Sequence, residues 1–471
     1  MTNQPDKESF RDHISTVDDS GKRIWVYPKK PKGKFTNYRM LVSALLLLAL
    51  FSGPFIRIGG EPLLLLNILE RKFIILGNIF WPQDFYLFMF AMITAIVFVI
   101  LFTVVFGRLF CGWLCPQTIF MEMVFRKIEY AIEGDFKQQR NLDKQDWNAE
   151  KIGKKGLKHV LFIAISFLIG NTFLAYIIGS EELIKIVTEP IGEHVGGLSA
   201  MIIFSGLFYG VFSQLREQVC TTICPYGRLQ GVLLDRNSLV VAYDYTRGER
   251  TEGRAKFRKG ENRDQLGKGD CIDCGQCVHV CPTGIDIRHG TQLECVNCTA
   301  CMDACDYMME SVNLKMGLIG YKTENSIAQG VPFKFTTRVI GYTTVLAILL
   351  GAIAFLLASR SQVETTILRT SGMMYQTQED GRISNLYNYK VINKSNEQLP
   401  IQFTLEDVGG EIKMIGNPNP IVEEQGIAEG VMFVIMEREE LEGVKTKLKI
   451  GIYEGERRIE VVKTSFMGPA N

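Results

Sequence analysis

The sequence predicts a multi-domain membrane protein, in which a five-helix transmembrane domain carries an inserted α+β domain and is followed by an all-β, immunoglobulin-like sandwich. Three observations predict this fold class. The 471-residue chain has five long apolar segments, a run of eight closely spaced cysteines before the last of them, and a C-terminal stretch of short alternating strands. The net charge of +1 gives no indication of a nucleic-acid partner, and we expect none.

The apolar segments are each near the 20 residues that an α-helix needs to cross a bilayer, and none has a charge at its centre. A sixth apolar stretch, residues 63–80, contains Glu70, Arg71 and Lys72 at its centre, so we expect it to lie at the membrane surface. Residues 1–37 are polar, and the first span is expected to be an uncleaved anchor. The predicted spans are Met40–Ile58, Phe85–Phe106, Leu157–Ile178, Leu198–Leu215 and Thr336–Ala358.

The distribution of Lys and Arg predicts the orientation of these spans. Basic residues precede the first span and fill the loop between spans two and three, whereas the loop 179–197 has one Lys and four Glu. The N-terminus and the insert are therefore expected in the cytoplasm, and the C-terminal domain outside it. All twelve cysteines then lie on the reducing, cytoplasmic side, and the tail 361–471 has none.

The eight cysteines form two copies of the pattern C-x2-C-x2-C-x3-C, and a proline follows the first copy. This spacing holds two 4Fe–4S clusters in bacterial ferredoxins, where the fourth cysteine of each run ligates the other cluster. Zinc sites use pairs of C-x2-C, which makes zinc the weaker interpretation. We therefore predict a two-cluster ferredoxin domain with one cluster on Cys271, Cys274, Cys277 and Cys305, and the second on Cys281, Cys295, Cys298 and Cys301.

The other four cysteines form two matching C-x3-C-P motifs, each after an apolar span and an arginine: Cys111 and Cys115 after Arg108, and Cys220 and Cys224 after Arg216. The proline disfavours helix at the second cysteine and is well placed to begin a new helix, so each motif should lie at a break between helices. Four thiols at one depth can converge on one metal site, and soft thiolates suit Cu(I), zinc or an iron–sulfur cluster. These four cysteines are the candidate catalytic and metal-binding residues.

Residues 247–268 contain eight basic and four acidic residues. The segment is either a solvated loop near anionic lipid or a docking patch for an acidic electron donor.

Residues 361–471 contain five stretches that are predicted to form strands, with a turn predicted at Glu454-Gly455. No catalytic constellation occurs there, and a binding or scaffold module is expected. The predicted strands are Asn385–Asn393, Pro400–Leu405, Val431–Ile435, Lys447–Tyr453 and Arg458–Thr464.

The predicted domains follow from these features. They are a cytoplasmic tail (1–37), transmembrane helices one to four with both C-x3-C-P motifs (38–235), the ferredoxin-type domain (236–335), the fifth transmembrane helix (336–358) and the external immunoglobulin-like domain (361–471).

Taken together, the chain resembles the CcoG/FixG/RdxA family of cytochrome c oxidase accessory proteins. The resemblance rests on both C-x3-C-P motifs, the stretch Tyr243–Glu249, the eight-cysteine insert and the cysteine-free β tail. It implies an iron–sulfur protein of the bacterial inner membrane that supports assembly of cbb3-type oxidase by reducing Cu(II) to Cu(I). The partners so implied are membrane lipid, a cytosolic electron donor, copper ions or a copper chaperone or transporter, and oxidase assembly factors.

Two other functions remain open from the sequence. Ferredoxin-type membrane subunits of quinol-oxidising chains, such as those of periplasmic nitrate reductase, share the C-x3-C-P repeat but resemble this chain less at the external tail. An assembly scaffold with structural clusters would need no catalysis. The metal at Cys111, Cys115, Cys220 and Cys224 also stays open between copper and a third cluster.

Overall fold

The computed structural model describes residues 15–469, apart from 19, 69–71, 76, 81–83, 191, 333, 371, 373 and 396. The described chain divides into two compact units. One contains the residues up to 353 except 77–79, and the other contains 77–79 and the residues from 354 onward. Glu70 and Arg71, which interrupt the sixth apolar stretch, lie outside the described residues.

Five helices are long and apolar enough to cross a membrane, as the sequence predicts. Three begin three to eight residues before their predicted starts, because the residues that precede each apolar window continue the same helix. The described residues of the stretch 63–80 form the short strands Leu64–Asn67, Lys72–Ile75 and Asn78–Phe80, and no helix long enough to span a membrane is found among them. The five helical segments are Lys34–Phe55, Phe85–Phe106, Ala149–Ile178, Val195–Leu215 and Thr337–Ala358.

Short helices connect the spans. Between spans two and three lie Leu109–Trp113, Pro116–Ile119, the π-helical turn Phe120–Phe125, Arg126–Ile132 and Phe136–Lys144. Ser180–Thr188 connects spans three and four, and the π-helical turn Val219–Ile223 and helix Pro225–Leu233 follow span four. The strands Arg57–Ile58 and Glu61–Pro62 pair after span one.

The insert has the mixed α+β character that the sequence predicts. Its strand Val240–Tyr243 pairs antiparallel with Ile319–Lys322, which brings the two ends of the insert together. Side chains of both strands form one buried cluster with several of the cysteines, so the core of the insert is built around its thiols. The helices of this region are Tyr245–Glu249, Gln276–His279, the 3-10 turn Ile287–His289, Ala300–Ser311 and Glu324–Gln329.

The second unit contains the predicted all-β sandwich. One sheet has the order Glu411–Ile415, Ile427–Met436, Ile383–Asn393 and Val363–Arg369, with Gln376–Thr377 beside the third of these. The other has the order Gln402–Leu405, Lys445–Glu454 and Arg457–Met467, and Leu399–Pro400 pairs with Ile421–Val422. Buried side chains from both sheets form one core.

Four of the five predicted strands are confirmed, and the turn of the last hairpin lies at Gly455 with φ +58°, as the sequence predicts. The predicted strand Pro400–Leu405 is divided at Ile401 into Leu399–Pro400 and Gln402–Leu405, which pair with different strands. The sequence analysis missed Val363–Arg369 and Glu411–Ile415. The second of these is an edge strand of five residues that alternates between exposed and half-buried positions, so the strand signal is present in the sequence but short.

Candidate iron–sulfur site

The two runs of the insert fold into the same tight loop. In the first run Asp273 and Gly275 have left-handed backbones, and in the second Asn297 and Thr299 occupy the matching positions with φ near +53° and +64°. A short helix begins directly afterwards and carries the third cysteine of its run. Asp, Asn and Gly tolerate this conformation, whereas the β-branched Thr299 adopts it at a cost that the surrounding fold must offset.

Two cavities lie within the insert, and cysteines line both. The first cavity contains Cys271, Cys274, Cys277 and Cys305 in its wall. The second contains Cys281, Cys295, Cys298 and Cys301, and Cys277 reaches it as well. The structure therefore places the last cysteine of each run with the other run, and the two cavities are neighbours.

Exposure differs along the insert. Cys274 is exposed to solvent, whereas the other seven thiols are buried or half-buried. Burial raises the pKa of Cys277 to about 12 and that of Cys298 to about 11, because a thiolate loses its hydration inside the protein. These thiols are therefore neutral until a metal centre displaces their protons.

Each C-x3-C-P motif lies at a break between two helices, as the sequence predicts. Cys115 and Cys224 have extended backbones with ψ of 123° and 112°, and the proline that follows is the first residue of the next helix. Four residues before the first cysteine of each motif, Gly107 and Arg216 share the same unusual backbone, with φ of 56° and 51°. Arg216 therefore matches Gly107 in backbone conformation, and the two arginines that precede the motifs occupy different structural positions.

The four C-x3-C-P cysteines lie near one another. Burial raises the pKa of Cys111 to about 11, and the adjacent Cys115 and Cys224 raise it further while Arg108 opposes them. Burial likewise raises the pKa of Cys220 to about 12, and the other three cysteines contribute. Both motifs therefore form one thiol site, which we call the quartet: Cys111, Cys115, Cys220 and Cys224.

The spacing of the quartet bears on the kind of metal centre that fits it. Within the part of the chain that the structure describes, Glu189, Glu193 and His194 form the one group of three or more ligand residues whose ligand atoms all lie within 4.8 Å of one another. Four sulfurs bound to a single tetrahedral zinc ion would be about 3.8 Å apart, given zinc–sulfur bonds of about 2.3 Å. The quartet sulfurs do not form such a group among the described residues, so they are not arranged as a closed tetrahedral zinc site.

Arg108 connects the quartet with the insert. Its Nε donates to Gln230 Oε1 at 2.8 Å, and the Cys111 thiol lies 3.1 Å from the same oxygen. Its Nη1 donates to the carbonyl oxygen of Leu293 and lies 3.5 Å from that of Cys295. One buried guanidinium thus contacts both thiol-bearing loops.

The backbones of the two loops also touch. A Cβ atom added to Gly112, which lies between Cys111 and Cys115, would be 2.5 Å from the carbonyl oxygen of Val296. Arg39 of the first span donates from Nε to the carbonyl oxygen of Gly112 at 2.6 Å. Arg108 is recognisable in the sequence as the arginine before the first motif, but its contacts with the insert are not. Gly112 and Arg39 were not predicted as site residues, although a glycine between two cysteines and an arginine at a span end are available signals.

A buried ion-pair cluster supports the helices around the quartet. Glu129 accepts two hydrogen bonds of 2.7 Å from Arg216, and Arg126 and Lys158 lie close to it. Burial raises the pKa of Glu129, but the adjacent Arg216 outweighs it and holds that pKa below its usual range.

The N-terminal segment lies along the insert. The backbone amide of Lys29 donates to the carbonyl oxygen of His279, and the Asp303 carboxylate accepts from the backbone amides of Phe35 and Thr36.

In the basic segment 247–268, several arginines and lysines pair with acidic neighbours, as Arg263 and Lys268 do with Glu261. These pairs reduce the free positive charge expected of a docking patch.

Three family models match the chain. Residues 215–324 match a "4Fe-4S dicluster domain", residues 88–133 a "4Fe-4S binding domain", and residues 353–469 an "IG-like fold at C-terminal of FixG". The second of these ranges contains both cysteines of the first C-x3-C-P motif and no other cysteine.

Two curated proteins are similar over most of the chain. The nitrogen fixation protein FixG of Rhizobium meliloti is 31% identical over 82% of this chain and 80% of its own. The protein RdxA of Cereibacter sphaeroides is 33% identical over 82% of this chain and 83% of its own. A crystal structure of a FixG-related protein from Vibrio parahaemolyticus, 17% identical, covers 23% of this chain and 97% of its own with a TM-score of 0.20.

Proposed function

Because the chain belongs to the FixG/RdxA family of membrane iron–sulfur proteins, we propose that it passes electrons to the quartet and there reduces Cu(II) to Cu(I) in support of cbb3-type oxidase assembly. The observation that carries this proposal is the position of the quartet. Four thiols from two separate motifs lie together and directly against the loop that carries Cys295 and Cys298.

The insert would hold two 4Fe–4S clusters, which supply one-electron carriers when bound. The four thiols in each cavity wall provide one complete ligand set, and Cys277 reaches both cavities. The ligands proposed are Cys271, Cys274, Cys277 and Cys305 for one cluster, and Cys281, Cys295, Cys298 and Cys301 for the other.

The quartet would hold a third cluster. Residues 88–133 match a 4Fe–4S binding domain but contain only Cys111 and Cys115, so a cubane there needs two thiols from elsewhere. Cys220 and Cys224 lie next to Cys111 and Cys115 and can supply these two thiols. Copper is then the substrate of this site and not its resident metal, and the soft sulfur environment favours the Cu(I) product over Cu(II).

The direction of electron flow follows from exposure. Cys274 is the exposed ligand of the insert, so a cytosolic electron donor would approach the first cavity. The Lys and Arg bias of the loops supports a cytoplasmic insert and an external C-terminal domain in the inner membrane of a bacterium. Copper ions, or a copper chaperone or transporter, and oxidase assembly factors would be the partners on the product side.

The test is copper reduction by the purified full-length protein with reconstituted clusters. After reduction with dithionite and removal of the excess, the wild type should convert Cu(II) to Cu(I), detected with a Cu(I)-specific chelator. The Cys115→Ser/Cys224→Ser variant should not, although its insert keeps all eight thiols. Equal copper reduction by both proteins would place the reaction elsewhere, and none by a fully loaded wild type would favour a scaffold with structural clusters.

A further inference from the structure

An apolar cavity of about 460 Å³ lies beside the quartet, and none of the proposed cluster ligands lines it. Its size is in the range of cavities that bind small organic molecules. Five of its seven lining side chains are aromatic. The lining residues are Phe35, Tyr38, Phe106, Leu109, Trp113, Leu239 and Tyr321.

The cavity lies where the membrane-spanning helices meet the redox loops. Phe35 and Tyr38 begin the first span, and Phe106 ends the second. Leu109 and Trp113 lie on the short helix that carries Cys111. Tyr38 and Phe106 are 59% and 41% exposed on the outside of the spans, so a molecule dissolved in the lipid can reach the cavity from the side.

Two polar groups of the cavity wall are left without partners. The Trp113 indole Nε1 and the Tyr321 hydroxyl are buried, and neither makes a hydrogen bond of normal geometry to a described residue. The Trp113 N–H interacts with the Tyr321 oxygen as a donor outside that geometry, which lowers the pKa of Tyr321 against the effect of burial, and the Tyr321 O–H still lacks an acceptor. Arg39, which is 4% exposed and also near Tyr321, has an unpartnered Nη2. Buried donors without acceptors cost free energy, so these groups indicate a ligand that accepts hydrogen bonds.

The wall is also adjacent to a proposed redox centre. Tyr321 lies close enough to Cys295 and Cys298 to interact with both sulfurs electrostatically. A lipid acyl chain would fill the apolar space but leave the donors unsatisfied, and a soluble protein could not enter. The ligand that fits is lipid-soluble, planar, equipped with carbonyl or hydroxyl oxygens, and redox-active.

We propose that this cavity binds the ring of a membrane quinol, which gives the chain an entry for electrons from the lipid side in addition to the solvent-exposed Cys274. The Trp113 N–H and the Tyr321 hydroxyl hydrogen-bond to the ring oxygens. The proposal rests on the proposed function for its electron acceptor. One quinol loses two electrons and two protons and becomes a quinone; the electrons reduce two Cu(II) to two Cu(I), and the protons go to water.

Binding is tested with the full-length protein in lipid nanodiscs. An azido-substituted ubiquinone analogue should label the peptides that contain Tyr38 or Leu109–Trp113, and excess decylubiquinone should prevent the labelling. Tyr321→Phe removes one donor and keeps the ring, and Trp113→Phe removes one donor and keeps a smaller aromatic ring, so each should weaken decylubiquinone binding roughly three- to tenfold. Leu239→Trp fills the cavity and should abolish site-specific labelling.

Trp147→Phe and Tyr375→Phe are the matched controls, since both residues are exposed and outside the cavity, and both should bind as the wild type does. Unchanged binding in Trp113→Phe and Tyr321→Phe would overturn the proposal. So would labelling of the cavity by a photoactivatable phospholipid that excess decylubiquinone does not reduce, because the occupant is then lipid.

Electron entry is measured from the signal of the reduced clusters. For each protein, the signal after addition of decylubiquinol is divided by the signal after full reduction with dithionite. The wild type should give a substantial fraction, and Trp113→Phe and Tyr321→Phe a smaller one. If decylubiquinol neither binds nor reduces while dithionite-reduced protein still converts Cu(II) to Cu(I), the quinol site is wrong and the proposed function stands. If decylubiquinol reduces the clusters but no Cu(I) forms, the proposed function is wrong and the quinol site stands.

Discussion

Gly112, between the cysteines of the first C-x3-C-P motif, contacts the carbonyl oxygen of Val296, between two cysteines of the insert. A methyl group at Gly112 would lie 2.5 Å from that oxygen and 2.8 Å from the Asn297 oxygen. Both opposing atoms are backbone atoms of a tight loop, so they cannot move aside as a flexible side chain can. The absence of a side chain at one residue thus allows the quartet and the insert to meet.

Gly112→Ala should separate these loops. Overpacking of this kind costs about 1–3 kcal/mol, and the quartet and the second cluster should interact less strongly in the paramagnetic resonance spectrum of the reduced protein. Gly156→Ala is the control, because no atom lies within 4 Å of its added Cβ and alanine favours helix. An unchanged spectrum in Gly112→Ala would mean that the contact does not govern the approach of the two sites.

Iron content should report the third cluster. The wild type should hold about twelve iron atoms, since each cubane contains four. Cys115→Ser, Cys224→Ser and the double variant should each hold about eight, because ligands of one centre fail as a unit and their losses do not add. A wild type with about eight iron atoms, unaltered in the double variant, would show that the quartet holds no cluster.

Glu129→Gln should destabilise the membrane unit. The change removes the carboxylate that accepts both short hydrogen bonds of buried Arg216 and leaves it the more distant Glu217, 3.7 Å from its Nε. Breaking a buried pair in this way costs about 3–5 kcal/mol. Glu150→Gln removes the exposed pair with Lys154 and should cost at most about 1 kcal/mol. Thermal unfolding of the detergent-solubilised variants gives the comparison, and similar losses in both would contradict the assigned role of burial.

The same pair should make the protein acid-sensitive. The folded-state pKa of Glu129 lies below its value in the unfolded chain, so the pair contributes its full stability above the ordinary range of a glutamate. That contribution is lost as the pH falls through the lowered pKa. Unfolding temperatures measured from neutral to acid pH should therefore fall more for the wild type than for Glu129→Gln.

Asn385 should hold the last strand of the β unit in register. Its side chain donates to the Met467 carbonyl oxygen at 2.8 Å and accepts from the Met467 amide at 2.9 Å. Asn385→Ala leaves both backbone groups unpaired, at a cost of about 1–3 kcal/mol, and hydrogen exchange in Arg457–Met467 should accelerate. Asn388→Ala, at an exposed position of the same strand, should leave that exchange unchanged.

Reporter fusions test the orientation. Fusions after Gly179 and Ser361 should read as external, and fusions after Arg140 and Gly267 as cytoplasmic, because short loops rich in Lys and Arg stay inside. An external reading at Gly267 would contradict both the topology and the reducing environment expected for the insert.

The sequence by itself determined the fold class and the ligand candidates of this protein. Cysteine spacing, apolar length and strand alternation are local properties that act within a few residues, so the five spans, the ferredoxin-type runs and the β sandwich could be predicted. The edge strand Glu411–Ile415 was missed although it alternates, because a pattern of five residues is short.

Only the tertiary structure decided how the sites relate. Arg108 and Gly112 acquire their roles from residues about 185 positions away, and the donors of Trp113 and Tyr321 meet across more than 200 residues. Arg216 corresponds to Gly107 because the two residues share one backbone conformation. The sequence alone would instead align Arg216 with Arg108, since an arginine precedes each motif. Such relationships come from packing between segments that are distant in the sequence, so a local sequence pattern cannot predict them.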